Sequence, residues 1–272
     1  MVRPLKTINN QRRIKKMQKA KEYQTINYQS DGTTIKFIAE YDQATGNVFK
    51  ITIYQSDGIK IKSITEFDPS TDKPVKTTFY QSDGTTVDYI SEFDPSTRKI
   101  VKVTNFQQDG TTVDSISDFD PNTGKQVKAT IFQQDGKTID FINEFDPSTG
   151  KKVKTINYQS DGKTINFIEE FDPSTGKKVK TINYQSDGQA IDYIEEFNPS
   201  TGKKVKTTDY RSDGTIYYIS DFDPSTGDLV KVTDYRSDGT IYSIIEFDPT
   251  TGDLVKATDY RSDGTIIDIF NF

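Results

Sequence analysis

The amino-acid sequence predicts an all-β fold, an elongated antiparallel hairpin meander of about twenty strands that forms a repeat ribbon or solenoid, with a short basic N-terminal helix. Three observations lead there. The dipeptide Asp-Gly recurs with its glycine at 32, 58, 84, 110, 136, 162, 188, 214, 239 and 264, seven steps of 26 residues followed by two of 25. A second punctuation, represented by Phe145-Asp146-Pro147-Ser148-Thr149-Gly150, falls between these nine times, with Asp72 and Arg98 standing in for its glycine. All 17 glycines belong to these two turns, so the segments between them are short, free of glycine and rich in Ile, Val, Thr, Tyr and Phe.

Residues 1–22 come first and differ in kind. Eight basic side chains, among them Arg12, Arg13, Lys15 and Lys16, stand against Glu22 alone, a net charge of +7. Asn10–Lys21 has neither Gly nor Pro and reads as a short helix with weak apolar spacing at Ile14 and Met17. Its expected place is over the exposed first edge strand, which would otherwise invite pairing with another chain. The basic cluster Arg12, Arg13, Lys15 and Lys16 also suits a nucleic-acid or anionic-membrane surface or a nuclear-import signal. No apolar stretch marks a secretory leader in 1–22, which predicts a cytoplasmic location, or secretion into a host if a leader has been removed.

Residues 23–272 form the expected repeat domain. Asp-Pro-Ser-Thr-Gly suits a type I turn followed by a left-handed glycine. A four-residue loop Pro147–Gly150 pairs Asp146 with Lys151 and Phe145 with Lys152. Counting outward sets Glu144 opposite Val153 and Phe141 opposite Ile156. At the other end, Asp161-Gly162 as a two-residue type I′ loop sets Tyr158 opposite Ile165, Ile156 opposite Phe167 and Lys154 opposite Glu169. This register places Tyr158, Ile156, Ile165 and Phe167 on one apolar, aromatic face. In the 25-residue repeats the lost residue converts the loop to Ser212-Asp213-Gly214, closed by Arg211 and Thr215, with Tyr210 still facing Ile216. So long a sheet should coil into a superhelix, because open twisted sheets rarely exceed about ten strands.

Composition limits the chemistry. The hydrophobic set is 32% of the chain and aromatics 12%, so the chain folds, but around a thin core. With no Cys and no His, thiol nucleophiles, disulfides, Cys/His zinc sites and imidazole catalysis are excluded. Asp118–Gly124 looks like a calcium loop, but its glycine comes one residue late and no bidentate Glu follows. The many Asp and Glu side chains recur in every repeat, whereas a glycosidase needs one asymmetric pair. They read as cross-strand partners of lysines. No catalytic residue, cofactor site or metal site is expected, and an enzyme is not. The aromatic columns serve sheet packing or a grooved recognition surface. Tyr158, Phe167, Tyr184, Tyr193, Tyr210 and Tyr218 are the candidate partner-binding residues.

The repeat Tyr158-Gln159-Ser160-Asp161-Gly162-Lys163-Thr164-Ile165, followed by Phe171-Asp172-Pro173-Ser174-Thr175-Gly176-Lys177-Lys178-Val179-Lys180, resembles a tandem repeat of phytoplasma proteins known only as a domain of unknown function. The resemblance covers 23–272 and implies a host-associated, wall-less bacterium, hence an effector or interaction role. More loosely, the hairpins look like MORN-type repeats, which build sheets used as protein or lipid scaffolds. The expected function is a non-enzymatic repeat scaffold for protein–protein interaction. The alternative is a structural protein that self-associates through sheet edges or oppositely charged ends.

Overall fold

A computed structural model describes residues 15–19 and 22–272. They fall into two compact bodies, 1–112 and 113–272. The first contains β1 (Lys15–Lys19), β2 (Glu22–Tyr28), β3 (Ile35–Tyr41), β4 (Val48–Tyr54), β5 (Ile61–Asp68), β6 (Lys73–Tyr80), β7 (Val87–Phe93) and β8 (Ile100–Phe106). The second contains β9 (Val113–Phe119), β10 (Gln126–Phe132), β11 (Ile139–Phe145), β12 (Lys152–Tyr158), β13 (Ile165–Phe171), β14 (Lys178–Tyr184), β15 (Ile191–Phe197), β16 (Lys204–Tyr210), β17 (Ile216–Phe222), β18 (Leu229–Tyr235), β19 (Ile241–Phe247), β20 (Leu254–Tyr260) and β21 (Ile266–Asn271). Within each body every strand pairs antiparallel with its neighbour in sequence, an uninterrupted meander. The twenty segments expected between the turns are β2 to β21.

The helix expected over 10–21 falls mostly outside the described residues. Within it, Lys15–Lys19 is instead strand β1, paired antiparallel with β2 from Lys15↔Ile26 to Lys19↔Glu22. The physical reason is the open edge of β2, whose unpaired backbone groups are satisfied by a ladder and not by a helix lying nearby.

Turn chemistry explains the closures. At the second turn Asp146 N–H donates to Lys151 O at 2.9 Å and Gly150 N–H to Asp146 O at 2.7 Å, the expected four-residue loop. The Asp-Gly turn of the 26-residue repeats is not the expected type I′ loop. Gln159 N–H donates to Thr164 O at 2.8 Å and Gly162 N–H to Gln159 O at 2.9 Å, so the loop is Ser160–Lys163. Type I′ requires positive φ at both central residues. Among the described residues only Asp72 (φ 56°) and Arg98 (φ 63°) join the glycines there, so Asp161 does not meet that condition. Asp161 acts differently: its Oδ1 accepts from Lys163 N–H and Thr164 N–H and its Oδ2 from the Thr164 hydroxyl. The 25-residue repeats close as expected, with Arg211 N–H donating to Thr215 O at 2.8 Å and Gly214 N–H to Arg211 O at 2.9 Å.

Arg98 occupies a left-handed site that seven of the nine second turns give to glycine. Its φ carries about 1–2 kcal/mol of steric strain, against about 0.5–1 kcal/mol of extra chain entropy that a glycine loses on folding. Arg98→Gly should therefore raise stability by about 0.5–1 kcal/mol, read as a higher urea midpoint at unchanged slope. A lowered midpoint would show that the Arg98 side chain makes a compensating contact.

Register is where the structure departs most from expectation. A one-residue bulge lies beside turns of both kinds. Beyond Phe145↔Lys152 the pairing steps to Glu144↔Lys154, leaving Val153 as the extra residue. Beyond Tyr158↔Ile165 it steps to Asn157↔Phe167, leaving Asn166. Opposed residues share a face and neighbours along a strand alternate, so each bulge exchanges the faces of everything beyond it. One face carries the central Ile column (Ile142, Ile156, Ile168, Ile182), flanked by Tyr158 with Ile165 and by Lys154 between Glu144 and Glu170. We call it the isoleucine face. The other, the phenylalanine face, carries Phe167, Asn157, Thr155, Glu169 and Phe171.

The core is correspondingly thin. Buried apolar side chains are Ala39, Ala129, Ile142 and Ile168, and small hydroxyl side chains that include Ser63, Thr77, Ser91, Thr155 and Thr181 are buried as well. Among the described residues no large side chain is wholly buried. Charge ladders add to the packing. Directly opposed pairs include Glu66–Lys76 at 2.9 Å and Asp221–Lys231 at 3.0 Å, each part-exposed and worth about 0.2–1 kcal/mol.

Both rims are stitched from one hairpin to the next. On the Asp-Gly rim the Gln29 amide donates to Ser56 O and the Gln159 amide to Ser186 O, each at 3.1 Å. In the last repeats arginine takes this role, Arg211 donating to Ile216 O and Tyr235 O. On the opposite rim the Lys151 and Lys177 ammonium groups reach Ser174 O and Ser200 O, and Lys203 reaches Thr226 O at 2.6 Å.

Candidate functional site

The sequence singled out six aromatic side chains as one surface. The bulges divide them. Tyr158, Tyr184 and Tyr210 stand on the isoleucine face, opposite Ile165, Ile191 and Ile216. Phe167, Tyr193 and Tyr218 stand on the phenylalanine face, opposite Asn157 and Asn183 (Phe167), Asn183 and Asp209 (Tyr193), and Asp209 and Asp234 (Tyr218). All six are half-buried. Arg12 and Arg13 lie outside the described residues; Lys15 and Lys16 are in β1.

The phenylalanine face holds the more chemically varied surface. In its central repeats lysines lie over rings, Lys152 over Phe171 at 4.2 Å and Lys178 over Phe197 at 4.7 Å. Such contacts contribute about 0.5–1 kcal/mol at exposed sites. Lys178 also pairs with Glu169 at 3.1 Å and Lys204 with Glu195 at 3.2 Å. From β16 onward the column changes: Asn157 and Asn183 give way to Asp209, Asp234 and Asp259, and Lys152, Lys178 and Lys204 to Leu229 and Leu254. Asp209 has its carboxyl held above the usual carboxylate range, chiefly by burial. A hydrogen bond with Tyr218 works the other way. Its Oδ2 is buried and has no hydrogen-bond partner, as is the Asn183 Nδ2.

A raised folded pKa means that ionisation opposes folding. Asp209 should therefore detract from stability increasingly as pH rises through the carboxylate range, and least when it is protonated in both states. Asp209→Asn, which restores the residue of the preceding repeats, should raise the melting temperature at pH 7 and leave it near wild type at pH 3. A lower melting temperature at pH 7 would mean that the carboxylate is compensated in the fold.

Two exposed rings were not foreseen. Tyr217 and Tyr242, 53% and 54% exposed, occupy the bulge position that holds Asn166 and Asp192 in earlier repeats. Tyr217 meets Tyr218 edge-on at 5.4 Å, and Arg211 lies 4.9 Å from the Tyr217 ring centre. Arg236 stacks on Tyr242 at 5.2 Å. In the first body an open depression of about 790 Å³ is lined by Tyr41, Phe49, Lys50, Glu66, Phe67 and Val75. Among the described residues no cluster of His, Cys, Asp and Glu has metal-binding geometry. No described helix is long and apolar enough to cross a membrane.

The repeat itself is what comparison recognises. Nine stretches that together run from residue 17 to 272 match DUF2963, described as a protein of unknown function, and most of them take in two successive repeats. The chain belongs to this family. DUF2963 brings a defined repeat and no assigned activity. No curated protein sequence matches the chain. Among solved structures, S. aureus TarM in complex with fondaparinux, α-GlcNAc-glycerol and UDP is similar at 19% identity over 42% of this chain and 21% of that one, with a TM-score of 0.29. The GtfA/B complex bound to UDP and GlcNAc is similar at 17% identity over 39% and 22%, with a TM-score of 0.29. The Photorhabdus luminescens Tc holotoxin pore is similar at 12% identity over 90% and 14%, with a TM-score of 0.24. The chain thus spans about a fifth or less of the length of these proteins.

Proposed function

We propose that the DUF2963 repeats form a non-enzymatic scaffold for protein–protein interaction, with a host-directed effector role as the setting that the sequence resemblance suggests. The observation that carries this reading is the exposed, aromatic-bearing phenylalanine face. Its columns repeat from hairpin to hairpin, which gives an extended contact surface and no single asymmetric cluster of acid, base and nucleophile. Exposed tyrosines flanked by arginine supply the side chains that dominate protein interfaces. Chemistry on a small substrate has no comparable support in this arrangement.

The test is capture from plant or insect host extract on the immobilised full chain, followed by titration with the purified captured protein. Saturable binding that Tyr193→Ala and Tyr218→Ala weaken together, while Tyr158→Ala and Tyr184→Ala do not, supports the scaffold and its face. Binding insensitive to all four substitutions, or no saturable partner, counts against it.

A further inference from the structure

From β15 to β21 the central row of the phenylalanine face is a strip that reads Tyr193, Asp209, Tyr218, Asp234, Ser243, Asp259 and Asp268, with the Ser243 hydroxyl donating to Asp234 Oδ2 at 2.8 Å. Tyr193 is directly opposite Asp209, Asp209 opposite Tyr218 and Tyr218 opposite Asp234, on four successive strands. Further along, Asp259 and Asp268 face each other across β20 and β21. Like charges in directly opposed positions repel, so this end of the strip favours an added cation. The exposed rings of Tyr217 and Tyr242 stand beside the row, two strands apart, or roughly 9.6 Å at ordinary strand spacing.

The basic groups of this region are already engaged, Arg211 and Arg236 in part on the rings of Tyr217 and Tyr242. Arg211 and Arg236 donate to backbone carbonyls along the rim. Lys231 pairs with Asp221 at 3.0 Å and Lys256 with Glu246 at 3.3 Å, both on the isoleucine face. Residues 207–272 carry five basic and thirteen acidic side chains, a net charge of −8, and residues 1–22 of the same sequence carry a net charge of +7. The carboxylates of the row are suited to Lys and Arg through charge-assisted hydrogen bonds, and the Tyr217 and Tyr242 rings, each already carrying an arginine, border them.

We infer that the Tyr–Asp strip is a docking surface for the basic 1–22 segment of a second copy of this chain, giving head-to-tail association. The inference uses the scaffold reading only in treating this face as a contact surface. A monomer that captures a host protein would retain that reading and end this one.

The experiment is sedimentation of the full chain over a concentration series at low salt and at about 1 M salt, where the screening length falls to about 3 Å. One variant carries Arg3→Glu, Lys6→Glu, Arg12→Glu and Arg13→Glu, which leaves β1 untouched. A second carries Tyr217→Ser, Tyr242→Ser, Asp259→Asn and Asp268→Asn, with circular dichroism confirming that both fold. Wild type should form a concentration-dependent series at low salt and monomers at high salt. Each variant alone should stay monomeric. An equimolar mixture of the two should stop at dimers, because one supplies the intact basic segment and the other the intact strip. Wild type that is monomeric throughout, a variant that still assembles alone, a mixture that does not pair, or a strip that takes a Lys-rich peptide but no second copy would each overturn the inference.

Discussion

Gly162→Ala is expected to destabilise the protein by roughly 2–5 kcal/mol, and Gly264→Ala by only about 1–2 kcal/mol, although both glycines follow aspartate in an Asp-Gly turn. Both have left-handed backbones, with φ of 66° and 83°, which an alanine occupies with about 1–2 kcal/mol of strain. They differ in what lies above them. A Cβ on Gly162 would come within 2.6 Å of Thr138 Cγ2 and 2.7 Å of the Ile139 backbone nitrogen, in the preceding hairpin, whereas one on Gly264 meets nothing within 4 Å. Backbone does not yield as a flexible side chain does, so overpacking adds about 1–3 kcal/mol at Gly162 alone. Because contacts run between neighbouring repeats, the damage should stay local. Hydrogen exchange should accelerate around the loops at 133–138 and 159–164 and stay near wild type beyond Gly214. Equal losses for the two variants, or loss of protection along the whole chain, would show one cooperative core in place of stacked hairpins.

Acid should unfold the protein through its turns. Asp83, Asp94, Asp109, Asp135, Asp146, Asp161, Asp172 and Asp223 all have pKa values lowered to about 2. At Asp161 the leading cause is the Thr164 hydroxyl, followed by the Lys163 and Thr164 N–H groups. At Asp146 it is the Ser148 hydroxyl, followed by the Thr149 N–H. A folded pKa below the unfolded value near 3.9 means stability that is complete above about pH 4 and lost as pH falls toward 2. The melting temperature should hold through the mildly acidic range and then drop steeply between about pH 4 and pH 2, because the same group titrates in turn after turn. Asn198 is the built-in control, since its side-chain oxygen accepts from Ser200 N–H and Thr201 N–H with no proton to gain. Asp161→Asn and Asp172→Asn, which lack the charge that strengthens these hydrogen bonds, should lower the melting temperature at pH 7 and flatten the acid limb, approaching wild type near pH 2. A melting temperature unchanged down to pH 2 would refute the role of these turns.

What could be read from the sequence, and what could not, follows from the range of the interactions. The Asp146–Lys151 and Arg211–Thr215 closures were legible because a turn is decided by residues four or five apart. The bulges at Val153 and Asn166 were not, because outward counting from a turn assumes that neither strand holds an extra residue. A signal was nevertheless present in the columns. Only a shifted register sets Lys154 between Glu144 and Glu170, and Ile156 between Ile142 and Ile168. Unlike the expected pairing of Glu144 with Val153, it sets opposite charges together and isoleucine against isoleucine on both sides of the strand. Missing it merged two faces into one and kept Tyr158 beside Phe167. The exposed Tyr217 and Tyr242 escaped notice for the same reason, since their exposure comes from the bulge position they occupy.

The stitched rims have a consequence for the length of the chain. Most hairpins present a Gln amide or an Arg guanidinium contact on one rim, and over much of the second body a Lys contact on the other, to the hairpin that comes next. Removing or inserting one whole repeat leaves both joints chemically intact and shifts everything downstream by two strand spacings, about 9.6 Å. The protein can therefore be lengthened or shortened like a ruler cut at its graduations. A gene that gains or loses repeats by recombination would change the distance between two points on the scaffold in fixed steps, without a new fold having to be found.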